Sequence, residues 1–435
     1  MTPSRRNFIR TASLFAAASV IPGENKIFSA TGVSANDRIN VAMIGGYGMG
    51  WNDLVSFLKN PEVECVALCD VDRNVLNRRT DDLVKLGYKR PKLYVDYRYM
   101  LENKDIDAVI IGTPDHWHCL ILCDALEAGK HAYVEKPVGN SIAEIDIIQK
   151  AVRKHGKIVQ VGQWQRSQPH FVDAMDYLKR GKLGRIRMCK AWSFIDWKTA
   201  VPKVPDSPTP QGVNYELWLG PAPMRPFNQN RFHHNWRWHW EYAGGEMSDW
   251  GVHLIDYILY GMDKSIPESV MATGGKYAFP DDDMETPDTM TAVFDFKDFS
   301  LTWEHSIGIG LGNWKRPHGM AYTGEYGTLV LDRNGWEVFP EKKIIEAVPL
   351  QKNTGTGLDL HVRNFLDCMK NNTPDKLNAG IDIGCKVAMV AQMGNIAYRT
   401  GEKVSWDNKK QKFNTTAANK LITPDYHNGF KLPGY

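Results

Sequence analysis

A lysine, an aspartate and a histidine have the side chains needed for proton transfer and for stabilising a developing alkoxide. Lys136 lies in residues 133–137 (YVEKP), and its ammonium could hydrogen-bond a hydroxyl whose carbon is being oxidised. Asp249 and His253 are four residues apart, a spacing that puts both on one face of a helix. His253 is the natural base, because the ordinary pKa of histidine lies near neutrality. These residues indicate chemistry at a hydroxyl-bearing carbon.

Each of these residues also has a plainer interpretation. A lysine beside a glutamate is common on surfaces, and an Asp–His pair can be purely structural. Asp249 could orient the imidazole or bind a second hydroxyl, and Asp256 could support the site or lie on the helix surface. A metal site is a further alternative, but His253 has no histidine four residues away on either side, and we predict no metal.

A glycine-rich turn, GGYGMG, follows a short apolar run at residues 39–44. A dinucleotide-binding turn needs glycines at its first, third and sixth positions. The outer two are present here, but Tyr47 occupies the middle place between two flanking glycines. The turn residues that we expect to contact a dinucleotide are Gly45, Gly46, Tyr47, Gly48 and Met49.

Asp70 closes the second apolar run, residues 64–69. A carboxylate at the end of the second strand of such a fold binds adenosine ribose hydroxyls and repels a ribose phosphate. The sequence therefore favours NAD over NADP as cofactor. A solvated aspartate at a strand end is the alternative.

Two different rhythms of apolar runs divide the chain. Between residues 38 and 162, strands alternate with helices, which predicts an α/β Rossmann domain with a doubly wound parallel sheet. From residue 163 to 408, longer strand-like runs predict a C-terminal α+β domain with a mostly antiparallel open sheet, followed by a tail at 409–435. The strands expected in the second domain span residues 186–194, 270–276, 289–296, 301–306 and 327–331, and late helices span about 359–371 and 382–400.

The first 30 residues have the pattern of an export signal. Arg5 and Arg6 precede an alanine-rich, mildly apolar stretch at 11–21 that is too short to span a bilayer. Paired arginines before such a stretch are typical of a twin-arginine signal, which predicts a periplasmic protein. No cysteine follows the stretch, so we predict no membrane anchor. A chance Arg-Arg pair is the alternative.

The composition is that of an ordinary globular protein. Its 435 residues suffice for two to three domains, and the formal net charge of +3 is small, which argues against a nucleic-acid partner. The seven cysteines have no zinc-site spacing, and we expect them to be small buried hydrophobes. The 14 tryptophans, many between residues 192 and 250, could stack on sugar rings or form an aromatic core.

Seven runs carry a resemblance to a known family: 113–118 (TPDHWH), 128–131 (AGKH), 135–137 (EKP), 160–167 (QVGQWQRS), 218–223 (WLGPAP), 231–233 (RFH) and 244–253 (GGEMSDWGVH). In this order they resemble the Gfo/Idh/MocA oxidoreductases, and most of all the twin-arginine-exported branch. The resemblance implies a Rossmann domain and a C-terminal domain whose open sheet often mediates oligomers. The departure is Tyr47, where most members carry glycine. The residues it implies at the reaction centre are Lys136, Asp249 and His253, and those near the nicotinamide are Thr113, His116, Glu135, Lys136 and Gln163.

The main hypothesis is an exported NAD-dependent oxidoreductase that moves hydride between a tightly bound cofactor and a sugar, glycoside or polyol carbon. Because free NAD should be scarce outside the cytoplasm, we expect the cofactor to load before export and to stay bound. The alternative is an NAD-dependent glycoside hydrolase, which oxidises a sugar transiently, eliminates the aglycone, adds water and reduces again. A third hypothesis, a non-catalytic sugar-binding protein, would predict loss of the reactive residues.

The expected partners are a small carbohydrate and further copies of the chain, joined through the C-terminal sheet. An aromatic segment at residues 232–242 is a candidate wall of the substrate site. The residues predicted to contact substrate are Trp164, Arg166, His233, Arg237, Asp249 and His253.

Overall fold

Two β-sheets organise residues 38–435, the part of the chain that a computed structural model describes. The predicted export signal at 1–30 lies outside these described residues. Residues 39–435 form one unit that holds both sheets. Among residues 38–435, no helix combines the length and apolarity that crossing a bilayer requires.

The first sheet has six parallel strands in the order β3-β2-β1-β4-β5-β6. The central strand β4 (AVII) is apolar and buried along its whole length, as expected where helices cover both faces of a parallel sheet. This is the predicted doubly wound Rossmann sheet. Its strands are β1 (Ile39–Ile44), β2 (Val63–Cys69), β3 (Lys92–Tyr94), β4 (Ala108–Ile111), β5 (His131–Val134) and β6 (Val159–Val161). Its helices are α1 (Met49–Leu58), α2 (Arg73–Lys85), α3 (Tyr97–Leu101), α4 (His118–Glu127) and α5 (Ile142–His155).

The second sheet has eight strands in the order β14-β13-β12-β11-β7-β10-β9-β8. All its pairings are antiparallel except that of β7 with β10, so the predicted mostly antiparallel sheet is confirmed. The strands are β7 (Met188–Ile195), β8 (Ser269–Gly275), β9 (Thr289–Asp295), β10 (Ser300–Ile307), β11 (His318–Thr323), β12 (Gly327–Asp332), β13 (Gly335–Pro340) and β14 (Val348–Lys352).

The prediction omitted β11, β13 and β14. Strand β11 (HGMAYT) begins with a histidine and a glycine, residues that are weak strand signals. Strand β13 (GWEVFP) starts at a glycine and ends at a proline, and β14 (VPLQK) is a largely exposed edge strand that contains a proline. Their pairing with neighbours, more than their own composition, makes them strands.

Helices of the C-terminal half connect the two sheets. Helix α10 packs on α1 of the first domain, where Ser56 Oγ donates to Asp359 Oδ1 at 2.7 Å and Phe365 contacts Phe57 edge-on. Helix α11 packs on the second sheet. These helices are α6 (Pro169–Lys179), α7 (Tyr215–Leu219), α8 (Gly245–Asp249), α9 (Gly251–Met262), α10 (Gly357–Asn371) and α11 (Ile381–Thr400).

The last residues form a small hairpin, β15 (Trp406–Asp407) with β16 (Lys412–Phe413), followed by α12 (Thr416–Asn419). Residues 420–435 then form an irregular segment, which we name the strap. The strap lies on the first domain: Tyr426 donates to Glu144 Oε1 at 2.6 Å, and Phe430 packs edge-on against Trp117. The predicted tail therefore wraps over its own chain.

The seven cysteines are all buried free thiols, as the sequence predicted. They serve as small apolar side chains and form no disulfide among residues 38–435.

A buried ion pair joins the loop after β6 to helix α9. Arg166 Nε and Nη2 each lie 2.7 Å from an oxygen of Asp256, and the guanidinium carbon lies 4.5 Å from the Tyr260 ring centroid. Arg166, predicted as a substrate contact, therefore has its fork occupied by Asp256. The motif at 160–167, which contains Arg166, could not reveal that partner, because Asp256 lies 90 residues further along the chain.

We expect Asp256→Asn to lower the free energy of unfolding by about 3 kcal/mol, because it leaves the Arg166 guanidinium buried without an opposing charge. Asp146→Asn, which breaks an exposed pair with Lys150 on α5, is the control and should cost less than about 1 kcal/mol. Denaturant titration measures both. If the two substitutions lowered the free energy of unfolding equally, the Arg166–Asp256 pair would not be a buried, stabilising ion pair.

Candidate active site

Lys136 and Asp249 form a short ion pair between the two domains. Lys136 Nζ lies 2.5 Å from Asp249 Oδ1 and donates a second hydrogen bond to the Asp249 carbonyl oxygen at 3.0 Å. Lys136 follows β5, and Asp249 ends the short helix α8. Burial would raise the pKa of Asp249, but the charges of Lys136 and Arg237 hold that pKa below its ordinary value. Asp249 is therefore a carboxylate near neutral pH.

His253 lies in the first turn of α9 and is buried. Its Nδ1 has no hydrogen-bond partner among the described residues. Burial, then the charges of Lys136 and Arg333, lower the pKa of His253 well below its ordinary value. The imidazole is therefore neutral and able to accept a proton. Trp250, the one residue between α8 and α9, keeps right-handed helical dihedrals (φ −88°, ψ −33°), and Asp249 is hydrogen-bonded to Lys136.

Arg237 comes from the 3-10 helix His233–Trp238. Its Nε lies 3.6 Å from Asp249 Oδ1, and its guanidinium carbon lies 4.3 Å from the centroid of a Trp236 ring. The structure thus brings this predicted substrate residue to the Lys136–Asp249 pair, where it adds a second positive charge.

Four predicted nicotinamide contacts have buried polar atoms without partners among residues 38–435. They are Thr113 Oγ1, His116 Nδ1, Glu135 Oε1 and both ends of the Gln163 amide. Buried polar atoms are almost always hydrogen-bonded, so these atoms indicate a bound polar group. A nicotinamide carboxamide and ribose offer the donors and acceptors that such a set requires. The side chains therefore fit the predicted cofactor.

Two buried carboxyls flank the ion pair. Burial raises the pKa of Glu135 to about 7, against the opposing charge of Lys136. Burial raises the pKa of Glu246 to about 8, with the charge of Asp249 adding to the shift. A Cβ on Gly162 would lie 2.1 Å from Glu135 Oε1, so the close fit of that carboxyl requires glycine there.

The glycine-rich turn is packed tightly against the next strand end. Gly45 has a φ of +86°, and a Cβ on it would lie 2.8 Å from the Gly112 backbone. A Cβ on Gly50 would lie 2.2 Å from the Gly45 carbonyl oxygen. These contacts are those a dinucleotide turn needs, whereas Gly48 has open space around it. Met49 begins α1.

Asp70 fastens the turn from the end of β2. Its Oδ2 accepts the Gly46 N–H at 2.8 Å, and its Oδ1 accepts the Asp72 N–H at 3.0 Å. Burial raises the pKa of Asp70 to about 6, so it remains largely ionised at neutral pH. Each oxygen has a further lone pair for a ribose hydroxyl. Asp72 adds a second negative charge beside Asp70, which favours a ribose hydroxyl over a ribose phosphate at this position.

Tyr47 stacks on His233 with ring centroids 4.0 Å apart and planes 7° apart. His233 Nε2 lies 3.1 Å from Asp72 Oδ2. His233, predicted as a substrate contact, is therefore engaged with the glycine-rich turn, because the long segment before it reaches the end of β2. The Tyr47 departure leaves the turn intact, and its carbonyl oxygen accepts a hydrogen bond from Arg79.

Residues 197–243, which we name the covering segment, run along the same edge. Gly212 accepts the Arg73 N–H at 2.9 Å, and the Asn214 N–H donates to Val71 at 2.8 Å. Long connecting segments inside a compact domain are usually functional. It covers the edge of the Rossmann sheet where Asp70 lies.

Two tryptophans and an arginine adjoin His253. The Trp164 and Trp250 rings approach the imidazole edge-on, with centroids 6.5 and 6.4 Å away. Arg333 lies over both rings, at 4.9 and 4.4 Å. Trp164 was predicted from the sequence and Trp250 lies inside a quoted motif. Arg333 was missed because it comes from the turn between β12 and β13, which carries no recognisable motif.

Metal ligands are not grouped in the part of the chain that the structure describes. No set of three or more histidine, cysteine, aspartate or glutamate side chains is arranged there to hold an ion.

Comparison with protein families gives two matches that together span most of the chain. The Gfo/Idh/MocA model described as "Oxidoreductase family, NAD-binding Rossmann fold" matches residues 39–163. The model described as "Oxidoreductase family, C-terminal alpha/beta domain" matches residues 185–432.

Curated relatives match over a limited length. A "Glycosyl hydrolase family 109 protein" of Shewanella baltica is 35% identical over 159 residues, which are 32% of this chain and 35% of that protein. An "Alpha-N-acetylgalactosaminidase" of Shewanella oneidensis is 35% identical over 144 residues, 32% of this chain and 31% of that protein. The chain thus spans about a third of the length of these relatives.

Solved structures match over more of the chain but at lower identity. The aldose-aldose oxidoreductase from Caulobacter crescentus has a TM-score of 0.64 at 18% identity, covering 85% of this chain and 99% of that one. A levoglucosan dehydrogenase in complex with NADH has a TM-score of 0.65 at 18% identity, with the same coverage of both chains. These likenesses show the fold.

The charges facing His253 lead to a prediction on pH dependence. Burial and the Lys136 and Arg333 cations disfavour the imidazolium, Asp249 favours it, and neighbouring His318 also disfavours it. We expect the acidic limb of kcat/KM for hydroxyl oxidation to lie well below pH 6.5, the ordinary pKa of histidine. Steady-state rates across that range measure the limb.

The control for this experiment is Glu135→Gln, because a carboxyl with a pKa of about 7 would give a limb of its own. A limb centred near pH 6.5 that persists in both Glu135→Gln and Asp70→Asn would contradict the depressed pKa of His253, because Asp70, with a pKa of about 6, is the other carboxyl that could titrate there.

Proposed function

Because the chain belongs to the Gfo/Idh/MocA oxidoreductase family, we propose that it is an NAD-dependent oxidoreductase acting on the CH–OH group of a sugar, glycoside or polyol. The observation that carries the proposal is the meeting of Lys136, Asp249 and His253 between the domains. The unpartnered atoms of Thr113 and Gln163 support a nicotinamide there.

His253 removes the hydroxyl proton, because its neutral imidazole has an unpartnered nitrogen in a buried position. Lys136 hydrogen-bonds the oxygen and stabilises the charge that develops on it. Asp249 holds the ammonium in place and favours its charged form. Bound NAD supplies the hydride acceptor.

We propose that the cofactor lies with its pyrophosphate at the glycine-rich turn and its adenosine ribose at Asp70. Its nicotinamide end would contact Thr113, His116, Glu135 and Gln163. In this arrangement Trp164 and Arg237 contact the substrate together with Asp249 and His253. Arg166 and His233 are left out, since Asp256 and Tyr47 engage them.

A glycoside hydrolase is the second candidate. The relatives named glycosyl hydrolase family 109 proteins favour it, although they match only about a third of their own length. In that cycle bound NAD would take hydride from the sugar and later return it, while the same histidine and lysine would move the hydroxyl proton and stabilise the oxygen. The two reactions therefore share a site and differ in their products.

We also propose export by the twin-arginine pathway to the periplasm, with the signal at 1–30 and domains at 38–162 and 163–408. Arg5, Arg6 and the short apolar stretch after them support export without a membrane anchor. The partners would be a carbohydrate and a second copy of the chain, not nucleic acid. Apolar side chains exposed on the second sheet, Met188, Val293 and Phe339, support association through it.

Cofactor retention is the role that we propose for the covering segment. The Tyr47–His233 stack joins this segment to the glycine-rich turn, and residues 212 and 214 bond to the end of β2. A dinucleotide held under these contacts could leave only after they open. Retention suits an exported enzyme, which must reuse its cofactor in place.

Lys136→Met and His253→Ala should each lower kcat/KM by roughly 10²–10⁴-fold, because each removes a group that acts on the reacting hydroxyl. Both variants should still purify with NAD. The matched control is Lys150→Met, an exposed lysine on α5 that should leave the rate unchanged. If Lys136→Met turned over substrate as fast as the control variant, Lys136 would have no role in the reaction.

Product analysis separates the two candidate functions. We expect purified protein, given a panel of glycosides and a carbonyl acceptor, to form keto-sugar in step with acceptor reduction. Release of aglycone with no net change in NAD would instead identify the hydrolase.

Tyr47→Ala and His233→Ala should each speed NAD dissociation by roughly two- to tenfold, which corresponds to loss of an aromatic stack. Fluorescence or mass spectrometry of protein diluted into NAD-free buffer measures the loss. Tyr99→Ala, an exposed tyrosine on α3, is the control. Unchanged retention in both variants would show that the stack does not hold the cofactor.

A further inference from the structure

Arg333 has no carboxylate partner within hydrogen-bond distance among residues 38–435. Its Nη2 donates to the Gln165 amide oxygen at 3.2 Å, and its Nε is buried with no hydrogen-bond partner in the described chain. Burial lowers the pKa of Arg333 to about 10, so the side chain is still a cation at neutral pH. A half-satisfied buried cation is costly, which makes this position unusual.

The same two rings hold Arg333 and border His253. The guanidinium carbon lies 4.9 Å from the Trp164 centroid and 4.4 Å from the Trp250 centroid. Both rings also meet the His253 imidazole edge-on. The cation is therefore a neighbour of the proposed proton acceptor, one aromatic ring away.

His318 adds a second unpartnered group to this place. Its ring lies 4.7 Å from Trp250, and its Nε2 is buried without a hydrogen-bond partner in the described chain. Burial lowers the pKa of His318 to about 3, with the charge of Arg333 adding to the shift, so it is neutral. A neutral imidazole can donate one hydrogen bond to an anion.

Packing alone does not account for this cluster. Stacking on tryptophan stabilises a guanidinium, but it satisfies none of its N–H groups. Asp249 is the acidic group that attracts Arg333, yet it is bonded to Lys136. The arrangement therefore leaves a positive charge, the unpartnered Arg333 Nε and the unpartnered His318 Nε2 beside two tryptophan rings.

We propose that Arg333, Trp164, Trp250 and His318 form a subsite for a carboxylate on the substrate sugar, so that the substrate class is a uronic acid or uronide. The planar guanidinium matches a carboxylate, and the tryptophan faces suit the apolar face of a sugar ring. The inference rests on the proposed function in one respect, because it takes the bound sugar to be the substrate of the enzyme. The subsite itself is a binding site and can be measured without turnover.

The test is calorimetric binding to the NAD-loaded protein. The probes are methyl glucuronide and methyl galacturonide, each beside the matching neutral methyl glycoside and a 6-sulfated glycoside. We expect each uronide that binds to do so at least about tenfold more tightly than its neutral counterpart, as for a hydrogen-bonded charged group. Arg333→Met should abolish this preference, while Arg333→Lys should keep part of it.

Two readouts guard against a variant that has merely lost its fold. NAD content and the thermal midpoint of Arg333→Met should match the wild type, and affinity for a neutral glycoside should change little. If Arg333→Met does not fold, Arg333→Lys and His318→Ala carry the test, and each should weaken uronide binding more than neutral-glycoside binding.

Several outcomes would overturn the inference: no binding of either uronide, equal affinity for uronide and neutral glycoside, or a preference that survives Arg333→Met. Binding of the sulfated glycoside alone would replace the carboxylate with a sulfate and so overturn the assignment of substrate class. Uronide binding without any hydride transfer would keep the subsite and defeat the proposed function. Oxidation of neutral glycosides without a preference for uronides would support the proposed function and overturn the carboxylate subsite.

Discussion

The ion pair between Lys136 and Asp249 is the contact on which the account of this protein depends. It joins the end of a Rossmann strand to a helix of the second domain, so the site exists only when both domains are in place. The pair is largely shielded from solvent, so each charge stabilises the other. The pair also sets the charge around His253, because the ammonium disfavours a second cation there. The contact thus sets the geometry of the proposed reaction centre and adds to burial in keeping His253 neutral.

The cofactor edge is organised by a second constraint, the close approach of backbones at the glycine-rich turn. Gly45 and Gly50 leave no room for side chains, and Asp70 ties the turn to the end of β2. The Tyr47 ring, which replaces the usual glycine, points outward and meets His233. The residue that departs from the glycine motif therefore forms the ring stack that holds the covering segment against the turn.

Local sequence signals were enough to predict the first domain, and they also singled out the residues that we propose to react. Alternation of apolar runs and helices depends on local periodicity, and Lys136, Asp249 and His253 lie within runs whose spacing carries chemical meaning. Of the covering segment, the sequence marked only the aromatic residues 232–242 as a candidate part of the site. Strands β11, β13 and β14 were missed because their pairing partners, more than their own residues, make them strands.

Long-range partners were the part that sequence could not supply. Arg166 and His233 have suitable chemistry, but their contacts with Asp256 and Tyr47 are set by tertiary packing. Arg333 is the opposite case, because no sequence motif marks it and only the fold brings it to the tryptophans beside His253. Residue type predicts what a side chain can do, and the fold decides whether it is free to do it.

The most direct test of the central claim follows the reacting hydrogen. Protein purified with its own NAD is given a substrate glycoside that carries deuterium on every ring carbon. The mass of the cofactor is then measured by mass spectrometry after one turnover. The account predicts reduced cofactor carrying one deuterium in the wild type and none in Lys136→Met with equal NAD content. Deuterated cofactor in Lys136→Met at the wild-type rate, or product formed with no deuterium passing through the cofactor, would contradict it.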